Sequence, residues 1–151
     1  ETAPSPEVMV EATLALLHRH CQAAWTGFVG NEAEELRLRA QFPEDMAAVA
    51  FLSRELNRRA LTELAPIWQA SASAPGGMSD SLGRVNDSLG IPLIDRRGGE
   101  SRVLGVIHLY RRQGRFMERE THFAQIVARM AALWLHRTTH SEFQGVSSSP
   151  S

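Results

Sequence analysis

"IPLIDRRGGESRVLGVIHLYRRQGRF" (91–116) is the stretch on which the reading of this chain turns. A first apolar run ends in two arginines and two glycines. A second runs from Arg102 to Tyr110 and leaves through Arg111, Arg112 and Arg115. Two short apolar runs around a Gly-bearing polar turn predict a β-hairpin with strands over 88–95 and 102–111. Neither run alternates with polar residues, as a half-solvated sheet requires; near-continuous apolarity is the mark of strands covered on both faces. The hairpin is therefore expected at the centre of a sheet lying between two layers.

Upstream, Val10, Leu14, Leu17 and Cys21 fall at steps of four, three and four, one face of a helix from about Pro6 to His20. Met9, Thr13, Leu16 and His20 make a weaker second stripe. "AAWTGFVG" (23–30) reads as a strand ending at a Gly30-Asn31 turn. "LRLRAQF" (36–42) alternates apolar residues with Arg37, Arg39 and Gln41, a half-buried strand. Pro43 opens a helical stretch, and Ser53 is placed to cap a second helix over 54–64. That helix would bury Leu56, Ala60, Leu61 and Leu64 and turn Arg54, Asn57, Arg58 and Glu63 to water. "PIWQA" (66–70) is a short strand, and residues 71–87 form a long Ser/Gly/Pro-rich loop, a length that often marks function. Downstream, Phe123, Ile126, Val127, Met130, Leu133 and Trp134 keep helical spacing over 118–137. The expected architecture is α+β. An antiparallel sheet of five to six strands carries the first and last helices on one face, and the middle helices and long loop on the other. The expected division is a flexible segment over 1–6, one domain over 7–137 and a Ser-rich linker over 138–151.

Composition narrows the function. The 151 residues suit one domain that needs no metal or disulfide staple. A net charge of −1 lacks the basic excess of a nucleic-acid-binding surface, although every basic residue is an arginine. No apolar run approaches the ~20 residues that span a bilayer. A lone Cys21 rules out an intrachain disulfide and two-thiol redox chemistry, and it fits a reducing cytoplasm. The opening "ETAPSPE" lacks an initiator Met and reads as the start of a module cut from a longer protein.

The six histidines do not fall at metal-ligand spacing. His18 and His20 point to different sides of a helix, and His136 and His140 have no third ligand nearby. No metal or cofactor is expected, and the chain has no GxxxxGK[ST], GxGxxG or GxSxG. On the apolar stripe, Cys21 reads as a buried structural thiol in preference to a redox sensor. His108 and Tyr110, two apart on one strand, share a face with Leu104 and Val106. One reading has them cap the core with a hydrogen bond each. The other has them line a small-molecule pocket under the long loop, with Trp68, Arg84 and Asp87. No nucleophile–base pairing is recognisable by spacing, so an enzyme is not expected.

Residues from about 6 to 137 resemble a GAF domain (a profilin-like, PAS-like fold), most specifically in the second half of the chain. The features are Pro92-Leu93, the charged turn Arg96–Glu100, "RVLGVIHLY" (102–110), "RFMERE" (115–120) and "FAQIVARMAALWLHR" (123–137). "IHLY" and the Ala/Leu-rich ending are most similar to the GAF modules of bacterial sigma-54-dependent regulators. That resemblance implies a cytoplasmic sensor upstream of an AAA+ ATPase, which relays a small-molecule or partner signal through its terminal helices. It also implies a homodimer through Leu14, Leu17, Met130 and Trp134, with neither membrane nor direct nucleic-acid contact. Modules of histidine kinases or cyclic-dinucleotide enzymes, or a ligand-free dimerisation module, are the alternatives. Three family features are absent. Met117 replaces the helix-capping Thr, so the last helix is expected to fray at its start. The NKFDE signature of cyclic-nucleotide binders is unmet, and Cys21 is not placed where a bilin would attach.

Overall fold

The computed structural model describes residues 5–32, 35–42, 54–70, 87–96 and 99–147. The helical stretch expected from Pro43, the Ser53 cap and loop residues 71–86 lie outside them, as do residues 1–4 and 148–151 of the expected terminal segments. In chain order the elements are α1 (Pro6–His20), β1 (Trp25–Glu32), β2 (Glu35–Phe42), α2 (Arg54–Glu63), β3 (Ile67–Ala70), β4 (Asp87–Asp95), β5 (Arg102–Arg111) and α3 (Glu118–Ser147). The strands form one antiparallel sheet in the order β2-β1-β5-β4-β3. The opening hairpin, β4 and β5, sits in its middle.

Among the described residues, buried clusters lie on both faces of the sheet. Val10, Leu14 and Leu17 of α1 and the alanines of α3 close over Phe28, Leu89, Ile91, Ile107 and Leu109. On the other face, Leu56 and Ala60 of α2 meet Ile67 and Val106. This is the expected layering, with the terminal helices together on one side. Leu14 and Leu17, expected at a dimer contact, are fully buried in the chain's own core and so are unavailable to a second copy. The periodicity of α3 was also misleading about its inner face. Of the expected stripe Val127 is buried and Phe123 packs against the core, but Ala124, Ala128, Ala131 and Ala132 make most of the contact, whereas Ile126, Met130 and Leu133 are 45%, 64% and 49% exposed. Small side chains let the helix axis lie close to the sheet, so the bulkier residues beside them stay outside.

Several local features depart from expectation. Ser5 and Pro6, placed in a flexible segment, begin α1: the Ser5 hydroxyl accepts from the Val8 amide at 3.3 Å, and Pro6 supplies a preset first-turn φ. Strand β1 runs through Gly30-Asn31, which was expected to turn. At β4–β5, Leu93 pairs with Gly105 and Ile94 with Val103, a bulge that leaves Leu104 over. Leu104 consequently packs on the terminal-helix core and not beside Val106. Gly105 cannot be replaced here, because a Cβ would lie 2.5 Å from the Val29 carbonyl oxygen.

The start of α3 is held despite Met117. Glu120 Oε1 accepts from the Met117 amide at 2.7 Å, half of a capping box, and Asp87 Oδ2 accepts from the Phe116 amide at 2.7 Å. Residues 138–147, expected as linker, continue the helix to Ser147. Each added residue closes another backbone hydrogen bond once a helix is nucleated. The 30 residues make a rod of about 45 Å. Among the described residues no helix is long and apolar enough to cross a membrane.

Candidate functional site

His108 sits at the centre of the sheet on the α2 face. Its cross-strand partners are Gly27 on β1 and Gly90 on β4, so no side chain flanks it from either neighbouring strand at its own level. The space over each glycine is taken from elsewhere. A Cβ at Gly27 would collide with the Trp25 ring, and one at Gly90 would come within 2.8 Å of Leu56 Cγ. The sequence around Trp25 explains the first contact: two residues apart on a strand, Trp25 and Gly27 share a face.

The imidazole is fully buried, with Nε2 2.7 Å from Asn57 Oδ1. An amide oxygen only accepts, so with that oxygen facing the ring Nε2 carries the proton and Nδ1 is the bare acceptor. Among the described residues Nδ1 has no partner. Burial pushes the imidazole down to about 4, so it is uncharged at neutral pH. Tyr110 stands edge-on to His108 at 6.0 Å and lies against Trp25 at 5.0 Å, and Trp25 Nε1 donates to Gln41 Oε1 at 3.0 Å. The result is a histidine–aromatic cluster, Trp25-Tyr110-His108, closed from above by Asn57 and Leu56.

Asn57 and Trp25 were missed by sequence reasoning. Asn57 was assigned to the solvated side of α2 by its polarity, but it is buried because His108 offers it a partner. The pairing of a Trp with a Gly two residues on was the one signal available for Trp25.

Trp68 and Asp87 do not belong to this cluster. Sheet register sets Ile67, Gly90 and His108 side by side, so Trp68 and Leu89 point to the opposite face. There Asp87 is fully buried, accepting from Trp68 Nε1 at 2.5 Å and from the Phe116 amide. The Arg115 guanidinium lies 5.5 Å from the centre of the Trp68 ring. Asp87 thus ties β4 to β3 and to the start of α3. The pocket expected from sequence is corrected: its residues divide between two faces because alternation along β3 and β4 separates them. Arg84 lies outside the described residues.

Next to the Asp87 tie, Arg111 Nη1 bonds Glu120 Oε1 at 3.1 Å and the Arg115 carbonyl at 3.0 Å. Cys21 is buried there, its Sγ 3.6 Å from the Glu120 carbonyl oxygen. Burial, with the Glu120 charge adding to it, pushes the thiol up to about 11. It stays protonated and is a poor nucleophile. Among the described residues no group of three or more His, Cys, Asp or Glu side chains is placed to hold a metal ion. A separate groove of about 460 Å³ lies at the sheet edge between α3, the end of β4 and the Leu64–Pro66 turn.

The family model of the GAF domain matches residues 5–135, α1 through most of α3's packed length. The chain belongs to the GAF domain family. Solved structures share the fold at low identity. The GAF domain/HD domain protein from Geobacter sulfurreducens superposes with a TM-score of 0.73 at 13% identity, covering 92% of this chain and 97% of that one. The GAF domain of a two-component sensor histidine kinase from Bacillus halodurans gives 0.72 at 14%, covering 93% and 99%. Type II free methionine-R-sulfoxide reductase from Thermoplasma acidophilum gives 0.67 at 18%, covering 87% and 93%. No functionally curated protein matches the chain. Within the GAF framework, the histidine–aromatic cluster lies on the sheet face away from the terminal helices, and Cys21 lies at the end of α1.

Proposed function

We propose that this GAF domain is a regulatory module of a cytoplasmic bacterial signalling protein, a sigma-54-dependent transcription regulator in which it precedes an AAA+ ATPase. A small molecule or partner group binds on the α2 face and supplies a donor to His108 Nδ1. The observation that carries this reading is that ring nitrogen, fully buried and unpartnered among the described residues between two glycines. Buried polar atoms are normally paired, so this unpartnered ring nitrogen fits one that a ligand completes. Differential affinity for two arrangements of the sheet then shifts α1 and α3, which pack together on the opposite face.

The output is a homodimer formed through α3. Its support is the apolar stripe Ile126, Met130 and Leu133, spaced four and three apart and exposed along the rod. A protonated thiol at Cys21 and the missing metal-ligand spacing favour a non-enzymatic role. A histidine-kinase setting is the second reading, favoured by the structural likeness to the Bacillus halodurans kinase module.

Native mass spectrometry of the chain purified from bacterial cells tests the site, and analytical ultracentrifugation tests the dimer. The expected results are a bound small molecule that Asn57→Asp and His108→Ala release, and a dimer that Met130→Glu converts to a folded monomer. A chain that carries no adduct and accepts none from a metabolite library, or that sediments as a monomer at every concentration, overturns the corresponding half.

A further inference from the structure

The sheet-edge groove is a different place from the His108 cluster, and its lining has a chemistry of its own. The floor is Ile91, Ala128 and Ala132, residues of the terminal-helix core. Two of its wall residues, Pro66 and Pro92, have no backbone N–H, so the walls offer few donors. Strand β3 pairs with β4 only as far as Gly90, and the groove opens beside the rest of β4. Leu64, at the end of α2, lines it with φ +53, a left-handed conformation that a Leu side chain rarely adopts.

The rim is charged. Arg96 from the end of β4 and Arg129 from α3 reach the groove from two elements, both exposed. Neither makes a hydrogen bond or ion pair among the described residues. Asp95, the acidic residue of the lining, already has an interaction of its own. A hydrocarbon floor under two uncommitted guanidinium groups is complementary to an amphiphile with one anionic head, because a guanidinium binds a carboxylate through paired N–H donors. The volume is within the range of small-ligand sites.

We propose that this groove binds an aliphatic monocarboxylate, its chain over Ile91, Ala128 and Ala132 and its carboxylate between Arg96 and Arg129. Such a ligand bridges β4 and α3, so it clamps the helix that leaves the sheet. This is an input separate from the α2 face.

Isothermal titration calorimetry with octanoate, octanol and acetate tests the proposal, with amide NMR shifts to locate the site. Octanoate is expected to saturate, to shift residues 91–96 and 125–133, and to bind more tightly than either control. Replacing both Arg96→Gln and Arg129→Gln removes the charge-assisted bonds from an exposed rim and is expected to weaken binding about tenfold. Ala65→Trp, on the exposed rim, blocks the mouth and abolishes binding while leaving the melting temperature unchanged. Octanol binding as tightly as octanoate, shifts confined to the α2 face, or no saturable binding by octanoate overturns the proposal.

Discussion

Lowering the pH from 7.5 to 5 should destabilise this domain through His108, and the size of the effect follows from the burial of one ring. The imidazole ordinarily titrates at 6.5 but at about 4 in the fold, because burial penalises its charged form. Below pH 6.5 the unfolded chain binds a proton that the folded chain refuses. Stability therefore rises with pH wherever the unfolded state holds more protons. The contribution is fully present above pH 6.5, is lost as pH falls, and levels off below pH 4. Across the whole window it amounts to about 3 kcal/mol, of which about 2 kcal/mol is lost by pH 5, before most carboxylates titrate. Urea unfolding followed by circular dichroism reads this directly, as a fall in midpoint of about 1 M for a domain of this size. His108→Gln keeps a donor for Asn57 without a titrating group, so its midpoint should fall by much less over the same interval. Equal pH slopes for the wild type and His108→Gln would refute the assignment of a buried, neutral imidazole.

Three further outcomes follow from contacts on the two faces. Gly90→Ala drives a methyl group into Leu56, within 2.8 Å of its Cγ, and should cost about 1–3 kcal/mol by overpacking; adding Leu56→Ala should remove that clash, so a double-mutant cycle by thermal melting should be strongly non-additive. Asp87→Ala strands the Phe116 amide and the Trp68 indole N–H, lowering stability by about 2–4 kcal/mol, with a shift in Trp68 fluorescence reporting the loss on β3. Cys21 should be inert to a thiol reagent at pH 8 in the folded chain and reactive in urea, since burial holds its thiol up to about 11; rapid reaction with the native protein would contradict its placement.

Much of the fold was legible because it rests on local patterns. The paired apolar runs around Arg96–Glu100 located β4 and β5 to within a residue, and the helical spacing of 123–134 located the packed part of α3 but not its extension over 138–147. The site was legible only in part. His108 and Tyr110 were brought to one face by the two-residue repeat, but whether Trp68 joined them depended on register between strands, which puts Ile67 opposite Gly90. Asn57 looked like a surface residue because its type is usually solvated, and only His108 across the sheet makes its burial affordable.

By itself, then, the sequence determined a covered central hairpin, flanking amphipathic helices, a single thiol and a GAF resemblance, because periodicity and turn chemistry act over a few neighbouring residues. Tertiary structure alone decided that α3 packs through its alanines, that Leu14 and Leu17 are spent on the internal core, and that Asp87 and His108 serve opposite faces. Those outcomes depend on distances between segments far apart in the chain, set by strand register and by how closely helix and sheet approach.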